Sequence, residues 1–436
     1  MYENKNYLCS VNFEKTRQDN HRVKQILREI LQDQHKNLPL KKIIERAVPE
    51  VFLQGPEVVM VVGARMCGKS AILKQIRRQK FRNGYYVSFD DNRLCRFTRN
   101  DFQSLQEVLI SLYGEQDAYF LNEITDVDGW EDFVKELYDS GKKVFVTSSH
   151  WDFISPRFVQ LMKGHYLTMP LFPLSFSEFI TFRGRTPLIN NHKGPVKSAE
   201  LQTLYNDYIY TGGIPMYVLT GEEFVRSTLF RHVFYRDVMA RNQLTFEKEL
   251  RAAIFFVMSN IGVPITYTMV ADAAGVKNVT TAKSYVECFE HAFFIKQVLK
   301  MDEHRVPMPR SPRCIYSLDP GLMRVGYTYN NDAFPYVASV VCQELLRRGF
   351  EVYNYQGTSS MCDFLAWNDG NVVQAVQVLC QWEDNRVRFS KIKGLTAAME
   401  AFGLEEGILV ADAPVKEMAT ASGMIKIVPP WEWLLS

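Results

Sequence analysis

Short apolar runs alternate with amphipathic stretches between residues 38 and 182. That alternation predicts strands at Val58–Val62, Tyr85–Phe89, Ala118–Leu121 and Lys143–Thr147. Between them, apolar positions recur at helical spacing over Lys69–Gln79, Phe102–Tyr113 and Trp130–Ser140. Strands alternating with helices imply βαβ units and a parallel sheet covered on both faces. Upstream, residues 1–38 are polar and charged, with apolar spacing only around Val23, Ile26, Leu27, Ile30 and Leu31. This predicts a solvated helical extension.

From about Ser198 to Leu244 the pattern is helical, broken at Thr211-Gly212-Gly213-Ile214-Pro215. Three short helices follow at Glu247–Asn260, Thr266–Ala274 and Thr280–Phe289, and then a strand-like run at Phe293–Leu299. That order is the outline of a winged helix-turn-helix. Pro307, Pro309 and Pro312 mark a linker, after which residues 313–436 return to mixed α and β.

Composition narrows the class. The 436 residues carry a net charge of +2 from 51 basic and 49 acidic side chains, which gives no global pull toward nucleic acid or an anionic membrane. Eight cysteines lie scattered without C-x-x-C or zinc spacing, which fits a reducing compartment. No apolar h-region follows the first residues. The most continuous apolar run, Val58 to Ala64, falls far short of the roughly 20 residues that span a bilayer. The expectation is a cytoplasmic protein with no membrane partner.

One motif carries chemistry outright. Gly63-Ala64-Arg65-Met66-Cys67-Gly68-Lys69-Ser70 fits G-x-x-x-x-G-K-[ST], preceded by a β-branched run and followed by a helical pattern from Ala71. Glycines let the loop curl so that backbone N–H groups point at phosphate, and the helix adds its positive end. The expected ligands are ATP and Mg²⁺. Residues Gly63 to Ala71 cradle the phosphates, Lys69 bridges the β- and γ-phosphates, and Ser70 holds the metal.

The second nucleotide motif is best matched by Ala118-Tyr119-Phe120-Leu121-Asn122-Glu123. An apolar strand ending in Asp-Glu would deliver a carboxylate to the metal and a general base beside the attacking water. Here Asn122 stands at the metal position, while Glu123 remains as the catalytic carboxylate. A lost formal charge beside a divalent cation predicts slow hydrolysis. Thr147, Ser148 and Ser149 end the next strand, where a hydroxyl would sense the γ-phosphate or cap a turn. Cys67, just before a helix N-terminus, is a small loop residue or an oxidation-sensitive one.

With these motifs assembled, the chain resembles a prokaryotic, archaeal-type family of AAA ATPases over roughly residues 40 to 436. The marks are Gly63–Ser70 for G-x-R-x-x-G-K-[ST], Phe120-Leu121-Asn122-Glu123-Ile124 for L-D-E-I, and Pro173-Leu174-Ser175-Phe176-Ser177-Glu178-Phe179. Gly212-Gly213-Ile214-Pro215, Arg236-Asp237 and Tyr316-Ser317-Leu318-Asp319-Pro320-Gly321 also match. The resemblance implies an α/β fold: a P-loop NTPase parallel-sheet core at 39–190 and a helical lid at 191–246. A winged helix with its linker at 247–312 and a restriction-endonuclease-like α/β domain at 313–436 complete it. It also implies that Arg65 or Arg236 acts on the γ-phosphate, in cis or from a neighbouring copy of a homo-oligomer; the alternative for either is a surface ion pair, such as one in the neighbourhood of Asp237.

Active members of the nuclease-like fold use a helix Glu, a strand Asp and then E-x-K. This chain has Ala338, Asp363 and Val376-Gln377-Val378-Leu379 at those places. One carboxylate with an amide and no lysine predicts a catalytically degenerate domain. The winged helix carries Lys283 beside Glu287 and Glu290, with Arg305, Arg310 and Arg313 nearby, and lacks the clustered basic residues of tight DNA binders. It offers a surface for a protein partner more than for DNA. Two functions follow: an ATP hydrolase, or a nucleotide-gated switch or scaffold in which hydrolysis is incidental.

Overall fold

The computed structural model describes residues 20–38, 44–151, 154–190, 194–326, 332–357, 360–413 and 416–436. The chain forms two compact units: residues up to 63 with 68–171, and residues 64–67 with 172–436.

The first unit opens with helix α1 (Asn20–Lys36). Then come strand β1 (Val58–Val62), helix α2 (Lys69–Lys80), β2 (Tyr85–Ser88), α3 (Phe102–Tyr113), β3 (Ala118–Asn122), α4 (Trp130–Asp139), β4 (Lys143–Ser148), α5 (Pro156–Met162) and β5 (Tyr166–Pro170). The strands stand in the order β2-β3-β4-β1-β5, and every pair is parallel. β1, β3 and β4 are buried along their whole length, as expected of a parallel sheet covered on both faces.

Helix α1 departs from the sequence expectation. Val23, Leu27, Ile30 and Leu31 are buried rather than solvated, because the helix lies on α3 and on β2, the edge strand. Gln34 replaces a missing neighbour strand there. Its Nε2 donates to Ser88 O, and Ser88 N donates to its Oε1, both at 2.9 Å. The first 19 residues of the expected extension lie outside the described residues.

The second unit contains helices at Phe176–Phe182, Pro195–Thr211, Pro215–Thr220 and Glu223–His232. The last of these continues as a π-helix over Val233–Ala240. Helices Glu247–Ser259, Tyr267–Ala274 and Val279–His291 follow, then β6 (Ile295–Met301) and its antiparallel neighbour β7 (Cys314–Ser317). β6 also pairs in parallel with β8 (Glu351–Gln356), so this hairpin joins the sheet of the C-terminal segment. That sheet has eight strands in the order β12-β13-β11-β10-β9-β8-β6-β7, with β9 at Met361–Asn368, β10 at Asn371–Leu379, β11 at Glu406–Ala411, β12 at Lys416–Thr420 and β13 at Gly423–Val428.

Two sequence motifs meet in this unit. Asp319 is buried, and its Oδ2 accepts from Gly213 N at 2.7 Å. A Cβ on Gly212 would sit 2.2 Å from Asp319 Oδ1, and one on Gly321 would sit 2.4 Å from Thr211 O, so both positions require glycine. Burial pushes the Asp319 carboxyl up from 3.8 to about 6, against the pull of the backbone amides of Gly213, Gly321 and Leu322. The folded protein therefore holds this proton where the unfolded chain has released it. The associated stability is full below about pH 4 and fades as pH rises through 6. Unfolding free energy should fall by about 3 kcal/mol between pH 4 and 7 relative to Asp319→Asn. Urea titrations of both proteins across that range would show parallel curves if Asp319 titrates normally.

Candidate nucleotide-binding site

β1 ends at Gly63, whose N–H donates to Ser148 O at 3.2 Å, so the loop starts between two strand ends. The chain then turns through left-handed backbone at Met66 (φ 63°) and Gly68 (φ 107°) and enters the twelve-residue helix α2 at Lys69. Alternating left-handed residues before a helix N-terminus turn successive N–H groups into a concavity suited to an anion.

Lys69 Nζ donates to Gly63 O and to Ser149 Oγ, each at 2.9 Å, and lies 3.3 Å from Glu123 Oε1. Glu123 is buried, and Ser149 holds it with both its N–H (3.1 Å to Oε2) and its hydroxyl (2.8 Å to Oε1). The backbone of Glu123 adopts φ 54°, a left-handed conformation that costs a non-glycine residue about 1 kcal/mol. Its N–H donates to Thr147 Oγ1 at 2.8 Å, which fixes that turn. The end of β3 thus aims a carboxylate at the lysine of the loop.

Asn122 is bound at both ends of its amide. Its Nδ2 donates to Ser88 Oγ at 2.9 Å, and its Oδ1 accepts from Thr147 Oγ1 at 3.1 Å. Ser70 is exposed and shares with Asn122 a cleft of about 350 Å³. Ala71 lies in the first turn of α2, and Cys67 is buried. The loop amides, an ammonium group and a hydroxyl at the helix start fit a phosphate chain with a hard divalent cation. Among the described residues no cluster of three or more His, Cys, Asp or Glu could hold a metal ion by itself. A cation bound chiefly through phosphates needs only one or two protein groups.

Arg65 is found in an ion pair, the alternative to a γ-phosphate role, although a buried one rather than one at the surface. Residues 64–67 group with the second unit, where the Arg65 guanidinium makes a bidentate pair with buried Asp237 (Nε to Oδ2 2.8 Å, Nη2 to Oδ1 2.7 Å). Arg236 is exposed. The carboxylate partner of Arg65 is legible in the Arg236-Asp237 mark, but the pairing is not.

Residues 313–436 hold a departure from the sequence expectation of no lysine at Asp363. A lysine does stand at Asp363, supplied by the helix Asn385–Phe402 instead of by β10. Lys391 Nζ donates to both carboxylate oxygens of Asp363 at 2.9 Å, and Val378 N donates to Oδ2 at 2.9 Å. Gln377 accepts from Asp363 N at 2.9 Å, and Ala338 is buried. An ammonium group therefore neutralises the lone carboxylate. In the helical segment, Lys283 pairs with Glu287 and Lys296 with Glu290, while Arg313 stacks 3.8 Å from the centre of the Tyr267 ring.

Residues 55–180 match the AAA domain family, and residues 202–328 match a domain of unknown function. An uncharacterised protein of Methanocaldococcus jannaschii is 24% identical over 431 residues, covering 94% of this chain and 95% of that protein. One from Haemophilus influenzae is 26% identical, covering 75% and 84%. Among solved structures, AMPPCP-bound DnaA from Aquifex aeolicus aligns with 55% of this chain and 86% of its own at 14% identity and TM-score 0.27. The Thermotoga maritima RuvB branch-migration motor aligns with 67% and 91% at 13% identity and TM-score 0.29. The family match, together with the loop, supports an AAA P-loop ATPase domain over residues 55–180.

Proposed function

We propose that this chain binds Mg-ATP at Gly63–Ala71 and hydrolyses it slowly. The observation that carries the reading is the convergence of Lys69, Ser149 and Glu123 at the ends of β1, β3 and β4. Backbone amides of the loop donate to the phosphate oxygens, and Lys69 places its ammonium on the β- and γ-phosphates. Bound Mg²⁺ supplies charge neutralisation on those phosphates. Ser70 and Asn122, which border one cleft, would hold the cation, and Glu123 takes the proton of the attacking water. The grip of Lys69 and Ser149 on Glu123 must loosen before that carboxylate can act, which adds to the slowness expected from a neutral Asn122.

Asn122 also favours a second reading, a nucleotide-gated switch whose hydrolysis is incidental. Phosphate release from the wild type separates the two when measured against Asn122→Asp. The variant should gain on the order of tenfold, the usual scale of tuning groups around a metal. No gain, with a wild type already turning over briskly, would remove Asn122 as the cause of slowness. Release at the buffer rate would favour the switch.

We assign residues 247–312 as a winged helix that meets protein rather than DNA, because Lys283 and Lys296 are already paired. The segment 313–436 is a nuclease-like domain without nuclease chemistry, since Gln377 and Ala338 leave Asp363 without the second and third carboxylates that would hold a metal.

A further inference from the structure

Asn122 leaves the end of β3 without the negative charge that a divalent cation beside Ser70 attracts. The neighbouring strand offers one. Ser88 of β2 stands opposite Asn122 in the parallel register, and Phe89 N donates to Asn122 O at 2.9 Å. The cleft bordered by Ser70 and Asn122 is also bordered by Tyr86, Ser88 and Asp90, alternate residues running off the end of β2. Asp90 therefore follows two residues after the partner of Asn122, on the same opening.

Asp33 and Asp91 border that opening too, but neither belongs to the alternate series that carries Ser88, and Arg93 pairs with both. Its Nη1 reaches Asp33 at 2.9 Å, and its Nη2 reaches Asp91 at 2.8 Å. Asp91 additionally caps Arg93 N at 3.0 Å. Asp90 is exposed. Burial pushes the Tyr86 hydroxyl well up, and the charges of Asp90 and Glu123 add to that push, which puts both carboxylates within electrostatic reach of one group in the cleft.

We propose that Asp90 supplies the carboxylate missing at position 122 and positions the divalent cation at Ser70, through a water of its coordination shell. This rests on the Mg-ATP reading of the loop. It makes a prediction with opposite signs. A carboxylate near the phosphates repels metal-free ATP and favours the metal-loaded form, so its removal should weaken only the latter.

The test uses the full chain, with Mn²⁺ as the probe, read by electron paramagnetic resonance, and ATP binding measured by calorimetry in EDTA and in Mn²⁺. Asp90→Asn should weaken Mn²⁺ binding to the ATP complex roughly tenfold, while ATP affinity in EDTA stays level or improves. Adding Asn122→Asp to that variant should restore Mn²⁺ binding, and Asp91→Asn should leave it unchanged. Equal losses in EDTA and Mn²⁺, an unchanged Mn²⁺ affinity, or the same loss in Asp91→Asn would each overturn the assignment. A wild type that ignores ATP in both buffers would instead overturn the Mg-ATP reading beneath it.

Discussion

Lys69→Ala should abolish useful ATP binding, weakening it by about 3 kcal/mol or on the order of a hundredfold. The ammonium is buried, its donors are already directed by Gly63 O and Ser149 Oγ, and no other lysine among the described residues shares those partners. Desolvation makes such a charge worth more than an exposed contact, which typically gives under about 1 kcal/mol. Calorimetry of wild type and variant checks it. The variant also leaves Glu123 without its cation, so melting temperatures must be recorded beside affinities. Equal ATP affinity in both proteins would move the nucleotide out of this loop.

Glu123→Gln should retain ATP and lose about 10²- to 10⁴-fold in phosphate release, the usual contribution of a positioned general base. Glutamine keeps the shape of the side chain and an oxygen for Ser149, but it cannot take a proton from water. It also frees the Lys69 ammonium from its 3.3 Å neighbour, so ATP affinity should hold or tighten. Single-turnover hydrolysis with a binding isotherm on the same preparation measures both effects. Undiminished release in the variant would show that another group serves as base.

The parallel core and the loop were legible because their signals are local. A β-branched run, a glycine-lysine pair and a helical pattern follow one another in Val58–Gln75. β5 was missed because it is short, mostly half-exposed and ends in Pro170, which leaves neither alternation nor an apolar run to detect. The role of α1 was misread because its four buried side chains look the same on a solvated helix, and only α3 and the open edge of β2 give them partners. At the site, Lys69 and Glu123 were found from spacing. The hydroxyls that orient them, on Thr147 and Ser149, were seen as polar strand-end residues with two readings left open. Lys391 escaped notice because it reaches Asp363 across 28 positions from a helix, and no motif holds such a distance.

The two hydrogen bonds between Gln34 and Ser88 have a practical result for anyone trimming the molecule. A fragment begun at residue 55, where the family match starts, would strip β2 of its side-chain surrogate for a neighbouring strand. Its bare rim would invite strand-to-strand adhesion between copies. A soluble, single-copy ATPase fragment should therefore include the helix at residues 20–36.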